Sequence, residues 1–258
     1  ETAILSCLRI QARIIGALIL REVITRYGRH GIGVLWLVVE PMMFTLGIAS
    51  LWYFTNLHVY SSVPIIAFSI TGYSSVLVWR NSANRSTKAI EVNLGLMYHR
   101  NVRVMDIMLA RILLEIGGGT ASLAILTSFF AFINLMAWPQ DILLVIGGWL
   151  LLCWFAVALG LIVGALTEFS DTFERVWHVL AYLLFPLSGA VYMVGWLPKS
   201  IQDLALILPM VHGVEMIRHG YFGELVRTYE SPAYLAICNL FLSLLGLFLT
   251  RQAGYRVK

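Results

Sequence analysis

The chain has 258 residues, of which 59% are hydrophobic and 12% are charged, and its formal net charge is +4 at pH 7. Soluble domains average about 45–50% apolar and about 25% charged residues, so this composition argues against a soluble domain and predicts a polytopic membrane protein. The positive charge is better explained by membrane topology and anionic lipid head groups than by nucleic-acid binding.

The N-terminal segment predicts an amphipathic helix over residues 4–23. Apolar side chains recur there at helical spacing, whereas Arg9 and Arg13 fall on the opposite side. This pattern is typical of a helix that lies in the head-group layer of a membrane. The first thirty residues contain five arginines and no cleavable signal pattern.

Six apolar segments are predicted to cross the membrane, because a spanning helix needs about 20 apolar residues. They are residues 32–54, 63–79, 116–138, 142–166, 176–195 and 233–250. Fifteen of the 18 Lys and Arg residues fall on one face of these spans, and the positive-inside rule makes that face, with both termini, cytoplasmic. We expect an all-α polytopic protein with one membrane domain at 1–258, made of an interface helix at 1–31, a six-span bundle at 32–250 and a cytoplasmic tail at 251–258.

The stretch between the fifth and sixth spans, residues 197–220, is apolar but too short to cross the membrane twice. Pro198 and Pro209 interrupt it. It predicts a pair of short periplasmic re-entrant helices, which membranes tolerate where protein or a cavity surrounds them. His212 and Glu215 lie three residues apart and could suggest a metal site, but we favour a pairing of Glu215 with Arg218 on the helix surface.

Glu40 is an ionisable residue inside the first predicted span, followed by Pro41, which can kink a helix. It could be the proton-coupling acid of a secondary transporter. The alternative is a carboxylate that pairs with a neighbouring helix or with water in a central cavity. We favour this alternative because spans two, four and six contain no acidic residue.

Two further patterns each allow two interpretations. Gly160 and Gly164 have the spacing that lets helices approach closely, either at a moving or dimerising interface or in static packing within one subunit. Trp52, Tyr53 and Tyr73 could face a pore and stack on sugar rings. The alternative for these aromatic residues is the belt that forms at the membrane interfaces.

A polar island at residues 84–115 separates the second and third spans. Ser86 is a predicted helix N-cap, and Gly95 weakens the helix and indicates either its end or a close contact. Ile90 and Leu94 fall on one face, which we expect to point outward from lipid. The pattern predicts a short helix at the cytoplasmic rim, where a partner could dock, and a basic hinge leading into the third span. A solvated loop is the alternative.

The chain contains no G-x-x-x-x-G-K-[ST] sequence and no Gly-Lys pair. It therefore has no phosphate-binding loop of its own. Neither H-E-x-x-H nor G-x-S-x-G occurs, so nothing in the sequence marks a zinc hydrolase or a serine hydrolase. If ATP drives a reaction here, we expect it to bind to a separate protein.

Three stretches in order along the chain carry a family resemblance. They are REVITRYGRHGIGVLWLVVEP at 21–41, NRSTKAIEVNLGLMYHRNVRVMD at 84–106 and PMVHGVEMIRHGYFG at 209–223. They resemble the interface helix with first span, the coupling-helix loop and the periplasmic re-entrant region of the membrane subunit of type-2 ABC exporters, particularly the capsular polysaccharide export permeases of Gram-negative bacteria. Met210 departs from the family, in which Leu is frequent at that position.

The resemblance implies a permease subunit, not an enzyme, in the bacterial inner membrane. Two copies would form a channel, and two copies of an ATP-binding subunit would carry ATP and Mg, with no cofactor bound by this chain. The substrate would be a lipid-linked acidic capsular polysaccharide, and periplasmic and outer-membrane export proteins would continue its path. Alternatives are an O-antigen or teichoic acid-like polymer or a drug as the substrate, a proton-coupled secondary transporter, or a lipid-modifying enzyme.

The resemblance and the patterns above together give the candidate site residues. Coupling to the ATPase is assigned to Ser86, Ile90, Glu91, Asn93, Leu94, Leu96 and Arg100. The channel or substrate candidates are Trp52, Tyr53, Tyr73 and Glu40, and the re-entrant region is represented by Pro209, Glu215 and Arg218. No metal site is expected.

Overall fold

The computed structural model describes residues 3–28, 32–55, 63–97 and 102–256, and within these residues it contains helices and no strand. Ten α-helices follow one another within these described ranges. They are α1 (Ala3–Tyr27), α2 (Ile32–Phe54), α3 (Ile65–Ser86), α4 (Leu94–Met97), α5 (Val104–Phe132), α6 (Ile142–Phe169), α7 (Asp171–Leu187), α8 (Lys199–Ala205), α9 (Pro209–Phe222) and α10 (Pro232–Arg256).

α6 is the central helix of the bundle and packs against α3, α5, α7, α9 and α10. Its 28 residues lack charge until Glu168, so it can be surrounded by protein and lipid along its length. Around it, α1 and α2 pack on α5, and α2 also packs on α3. We name the two ends of the bundle by helices found there. At the α1 end, α3 stops and α5 begins. The α9 end carries α8 and α9.

Four of the described helices are long and apolar enough to cross a membrane, namely α2 from Leu35 onward, α5, α6 and α10. The prediction of an all-helical polytopic membrane protein agrees with this. α3 and α7 occupy the predicted places of spans two and five but are not among the four. α3 ends in a polar stretch that carries Arg80 and Arg85, and α7 has only 17 residues. The count of six spans therefore stays a prediction.

The predicted helix boundaries between α3 and α5 are wrong in two places. α3 runs through Ser86, whose hydroxyl donates to the Ser82 carbonyl at 2.8 Å, so Ser86 ends a helix and does not cap the start of one. α5 begins at Val104, twelve residues before the predicted third span, because Asp106 accepts the Arg103 amide at 2.9 Å and closes a capping box. Most of the predicted basic hinge is therefore helical.

The stretch between α7 and α10 contains the two short helices that proline was expected to separate. α8 and α9 meet at an angle of 106°. Pro209 is the first residue of α9, a position where its missing N–H costs no hydrogen bond. α7 ends at Leu187, earlier than the predicted 195, and the chain turns at Gly189 with φ +84°.

Candidate functional site

The candidate docking element is segment 87–97, which leaves α3 and returns towards α5 at the α1 end. It is a turn, a single 3-10 turn at Glu91–Asn93 and the four-residue α4, and not the continuous helix that was predicted. The turn begins at Lys88, whose φ is +50°. Broken into these short pieces, the segment presents some side chains inward and others outward without a helical period.

Ile90 anchors this segment in the protein core. Its side chain is 0% exposed and packs in an apolar cluster that includes Met108 and Ile112 of α5 and Leu161 of α6. The expectation that Ile90 and Leu94 both point outward is therefore wrong for Ile90. The buried Ile90 side chain holds the segment in this position, because moving the segment would expose the apolar surface of that side chain to water.

Asn93 is the second anchor, and it connects the segment to α1. Its amide nitrogen donates to the Ala89 carbonyl at 2.8 Å. Arg21 of α1 donates from Nη1 to the Asn93 Oδ1 at 2.7 Å. Asn93 was among the predicted site residues but Arg21 was not, because nothing in the local sequence pattern indicates a contact between residues so far apart in the chain.

Lys88 connects the segment to α6 and α7. Its backbone amide donates to the Thr167 hydroxyl at 3.4 Å, and its ammonium lies 3.2 Å from Glu174 and 3.9 Å from Asp171. The hydrogen bond and charge of Glu174 raise the pKa of Lys88. Lys88 therefore remains a cation at neutral pH and joins the turn to the first turns of α7.

The exposed edge of the segment is mixed in character. Val92 is 68% exposed and Leu94 is 42% exposed, and Glu91 and Gly95 beside them are also exposed. The side chain of Leu96 and the whole of Arg100 lie outside the part of the chain that the structure describes. Two apolar side chains held out next to a carboxylate make a surface that a protein partner could cover.

An ion-pair network lies beside the segment and joins four helices. Its members are Glu22, Arg26, Glu40, Arg85, Arg111 and Glu115. Arg26 of α1 pairs with Glu115 of α5 and lies 3.1 Å from Glu22. Arg111 Nε lies 3.2 Å from the same Glu22 carboxylate. The contact between Glu22 and Arg26 could have been predicted from the sequence, since residues four apart share one helix face.

Arg85 of α3 stands between two carboxylates of this network. Its guanidinium is 3.6 Å from Glu115 and 3.8 Å from Glu40. Glu40 thus pairs with a neighbouring helix, as predicted in preference to the role of a proton-coupling acid. The Glu40 and Arg85 side chains are about half exposed, so this contact is weaker than the one that reaches the buried Glu115.

The glycines of α6 serve packing within the chain. A Cβ at Gly160 would lie 2.7 Å from the Ile112 side chain, and one at Gly164 would lie 2.9 Å from the Ser86 carbonyl oxygen. The spacing therefore brings α6 against the end of α3 and the start of α5. Of the two interpretations, the described contacts support packing within one subunit.

The aromatic channel candidates do not share one environment. Trp52 is half-buried and stacks on Phe68 at 5.5 Å between ring centroids. Tyr73 is 2% exposed and meets the Trp52 ring edge-on at 6.1 Å. Tyr53 is 55% exposed on the outside of α2. Only Tyr53 and Glu40, among the four candidates, present a largely open side chain in a single copy of the chain.

Arg218 and Glu215 of α9 are fully buried, not paired on a helix surface as expected. Arg218 donates to the carbonyls of Gly189 at 2.6 Å, Tyr192 at 2.5 Å and Ala190 at 2.8 Å. Its guanidinium also lies 4.0 Å from the Phe68 ring centroid. These contacts fix the turn that follows α7 onto α9.

Glu215 and His212 fix further parts of the chain onto α9. Glu215 accepts the amide of Val194 at 3.2 Å and that of Tyr229 at 3.3 Å. The two ring nitrogens of His212 contact the Leu206 carbonyl and the Ser231 amide. Among the described residues no group of three or more metal-ligating side chains gathers.

The chain matches the family model described as ABC-2 type transporter over residues 13–222. It is 45% identical to the capsule polysaccharide export inner-membrane protein CtrC of Neisseria meningitidis, over 96% of this chain and 93% of that protein. It is also 45% identical to the capsule polysaccharide export inner-membrane protein BexB of Haemophilus influenzae, over 98% and 95% of the two chains. With the polysialic acid transport protein KpsM of Escherichia coli it shares 26% identity over 94% of each chain.

Proposed function

Because the chain belongs to the ABC-2 type transporter family, as the sequence resemblance predicted, we propose that it is the permease subunit of an ATP-driven exporter of lipid-linked capsular polysaccharide. The observation that carries this proposal is the 45% identity, over nearly the whole chain, to inner-membrane proteins named for capsule polysaccharide export. The similarity to a polysialic acid transport protein favours an acidic polymer as the substrate.

In this proposal α2, α3, α5, α6, α7 and α10 are the six spans, and the α1 end with both termini lies in the cytoplasm. α3 can cross despite its polar residues because its stretch from Ala67 to Trp79 is buried by neighbouring helices and does not face lipid. The α8 and α9 pair then lies on the periplasmic side as a re-entrant element. The Lys and Arg distribution supports this orientation.

The exposed edge of segment 87–97 is the surface that we assign to the ATP-binding subunit. Val92 and Leu94 supply apolar contact area, and Glu91 supplies a charge at the rim. Ile90 and Asn93 act from inside, by holding that edge in position against α5 and α1. A force applied to the edge is then transmitted to the spans through packed side chains.

Two copies of the ATP-binding subunit would carry ATP and Mg²⁺, and two copies of this chain would form the channel. ATP binding would favour one arrangement of the spans over another by differential interaction with segment 87–97. In this proposal the chain itself is not an enzyme and binds no cofactor. Periplasmic and outer-membrane export proteins would receive the polymer.

The test is co-purification with the ATP-binding subunit, followed by measurement of surface polysaccharide in cells that lack the native permease. We expect Leu94→Asp to abolish both, because a charge placed on the apolar edge would have to be desolvated in the interface. The matched control is Leu135→Asp, at a leucine that is 54% exposed in the loop between α5 and α6. Leu135→Asp should retain both.

Retention of the ATP-binding subunit and of normal surface polysaccharide by Leu94→Asp would contradict the docking assignment. The purified chain without its partner should hydrolyse no ATP, since its sequence contains no phosphate-binding loop. Hydrolysis by the chain alone would contradict the assignment of ATP to a separate subunit.

A further inference from the structure

Arg80 of α3 differs from the three arginines of the ion-pair network. Arg26, Arg85 and Arg111 each contact a carboxylate of the ion-pair network. Arg80 forms no ion pair within the part of the chain that the structure describes, and its Nε is buried without a hydrogen-bond partner. It lies six residues before the end of α3, roughly 9 Å along the helix axis.

Aromatic rings from two helices surround the Arg80 guanidinium. Its central carbon lies 5.7 Å from the Phe44 ring centroid on α2, and 5.7 Å and 5.3 Å from those of Tyr182 and Phe185 on α7. Ring faces attract a cation and hold it in place. They do not replace the oxygen acceptors that a guanidinium, with five N–H donors, requires.

These residues form one surface of α2, α3 and α7, on which Phe44 and Phe185 meet edge-on with ring centroids 6.1 Å apart; we call this surface the Arg80 groove. Its rim is open, since Tyr182 is 73% exposed and Phe44 is 39% exposed. Tyr73 contacts both Phe44 and Phe185 but is only 2% exposed, so it supports these rings from beneath and does not line the groove. The groove therefore combines one cation that has no ion pair among the described residues with the exposed rings of Tyr182 and Phe44.

An arginine within a membrane-crossing helix is costly unless it meets water, an acid or a ligand, and such residues are functional candidates by default. The planar guanidinium binds a carboxylate with two parallel hydrogen bonds. The exposed ring faces beside it carry partial negative charge and can contact the C–H groups of a sugar ring. A sugar that carries a carboxylate offers an anion for the guanidinium and C–H groups for the rings side by side, whereas a lipid phosphate offers only the anion.

We propose that the Arg80 groove binds the carboxylate-bearing sugar units of an acidic glycan, with Arg80 on the carboxylate and Tyr182 or Phe44 against the sugar ring. The proposal rests on the proposed function for its substrate class and adds the residues that recognise the charge. Arg80 then acts as a specificity-determining residue, because a neutral glycan offers its guanidinium only hydroxyl acceptors and no carboxylate to pair with in charge-assisted hydrogen bonds.

The experiment uses the full chain in phosphatidylcholine nanodiscs, titrated with oligogalacturonate, with the neutral maltoheptaose and with dodecyl phosphate. Wild type should bind oligogalacturonate more tightly than either of the others. Arg80→Gln should weaken that binding by about tenfold, the effect of losing one charge-assisted contact. Arg80→Lys should be intermediate, because it keeps the charge but not the planar fork.

The matched control is Arg251→Gln. Arg251 also has a tyrosine ring beside it, with its guanidinium 5.7 Å from the Tyr255 ring centroid, but it lies on α10 away from the groove. This variant should bind oligogalacturonate as wild type does. Tyr182→Ala serves as a second groove variant that does not disturb the core, and it should weaken binding by about threefold.

Unchanged oligogalacturonate affinity in Arg80→Gln, or in Tyr182→Ala if Arg80→Gln does not fold, would overturn the proposal. Equal binding of maltoheptaose by wild type would also overturn it. Tighter, Arg80-dependent binding of dodecyl phosphate would assign the groove to a lipid phosphate instead. Because the titration needs no ATP-binding subunit, it can fail while the co-purification and surface-polysaccharide assays succeed.

Discussion

The two ends of the bundle use buried charge in different ways. At the α9 end, Arg218 donates to three backbone carbonyls and Glu215 accepts two backbone amides. At the α1 end, Arg26, Arg85 and Arg111 contact carboxylates on other helices. Backbone partners are fixed by the fold, whereas side-chain partners can change when helices shift.

This difference indicates which end can move. Breaking a contact at the α9 end leaves a buried charge or carbonyl without a partner, which is strongly destabilising. At the α1 end, Arg85 lies between Glu115 and Glu40, within 3.6 Å and 3.8 Å of them. If Arg85 moved from Glu115 to Glu40, the buried Glu115 would keep Arg26 as its partner, so the α1 end is suited to receive a movement and the α9 end to resist one.

The largest effect is expected from Arg218→Met, which tests the rigid end. The substitution would leave the carbonyls of Gly189, Ala190 and Tyr192 buried without their donor. We expect the free energy of unfolding to fall by about 3–5 kcal/mol. Denaturant unfolding in detergent micelles, followed by tryptophan fluorescence, measures it.

Arg175→Met is the control for this variant, because Arg175 is an exposed arginine on α7. It should change stability by less than about 0.5 kcal/mol. If Arg218→Met unfolds at the same denaturant concentration as wild type, the carbonyl contacts do not hold the α9 end together, and the contrast between the two ends fails.

A smaller loss of stability is expected from Ile90→Ala, which tests how Ile90 anchors segment 87–97 in the core. Ile90 is 0% exposed, so its truncation should cost about 2–5 kcal/mol of unfolding free energy. Val92→Ala, two residues away at a side chain that is 68% exposed, should stay within about 0.5 kcal/mol of wild type. Similar losses in both variants would show that the segment is not anchored as described.

The sequence was sufficient to predict the helical membrane class and the places of most helices. Long uncharged runs mark α5, α6 and α10, and proline marks the break between α8 and α9, because both signals are local. The pairing of Glu40 with another helix was also anticipated. The orientation and the number of spans stay predictions.

Segment 87–97 shows why the site was harder to predict. A single 3.6-residue period places Ile90 and Leu94 on one face, but the turn at Lys88 and the 3-10 turn at Glu91–Asn93 break that period. Partners distant in the chain decide the rest. Neither the contact of Arg21 with Asn93 nor the rings around Arg80 has a local sequence signal.

The smallest effect concerns how closely α6 is held at the α1 end. A Cβ at Gly164 would lie 2.9 Å from the Ser86 carbonyl, a backbone atom that cannot turn aside, so Gly164→Ala must displace α3 or α6. We expect the free energy of unfolding to fall by about 1–2 kcal/mol, since alanine's better helix propensity offsets part of the clash.

Gly117→Ala is the control, because nothing lies within 4 Å of its added methyl, and it should be neutral or slightly stabilising. If Gly164→Ala is equally neutral and instead disrupts self-association of the chain, the glycine pair serves a contact between copies, and the α1 end is held less firmly than its internal packing indicates.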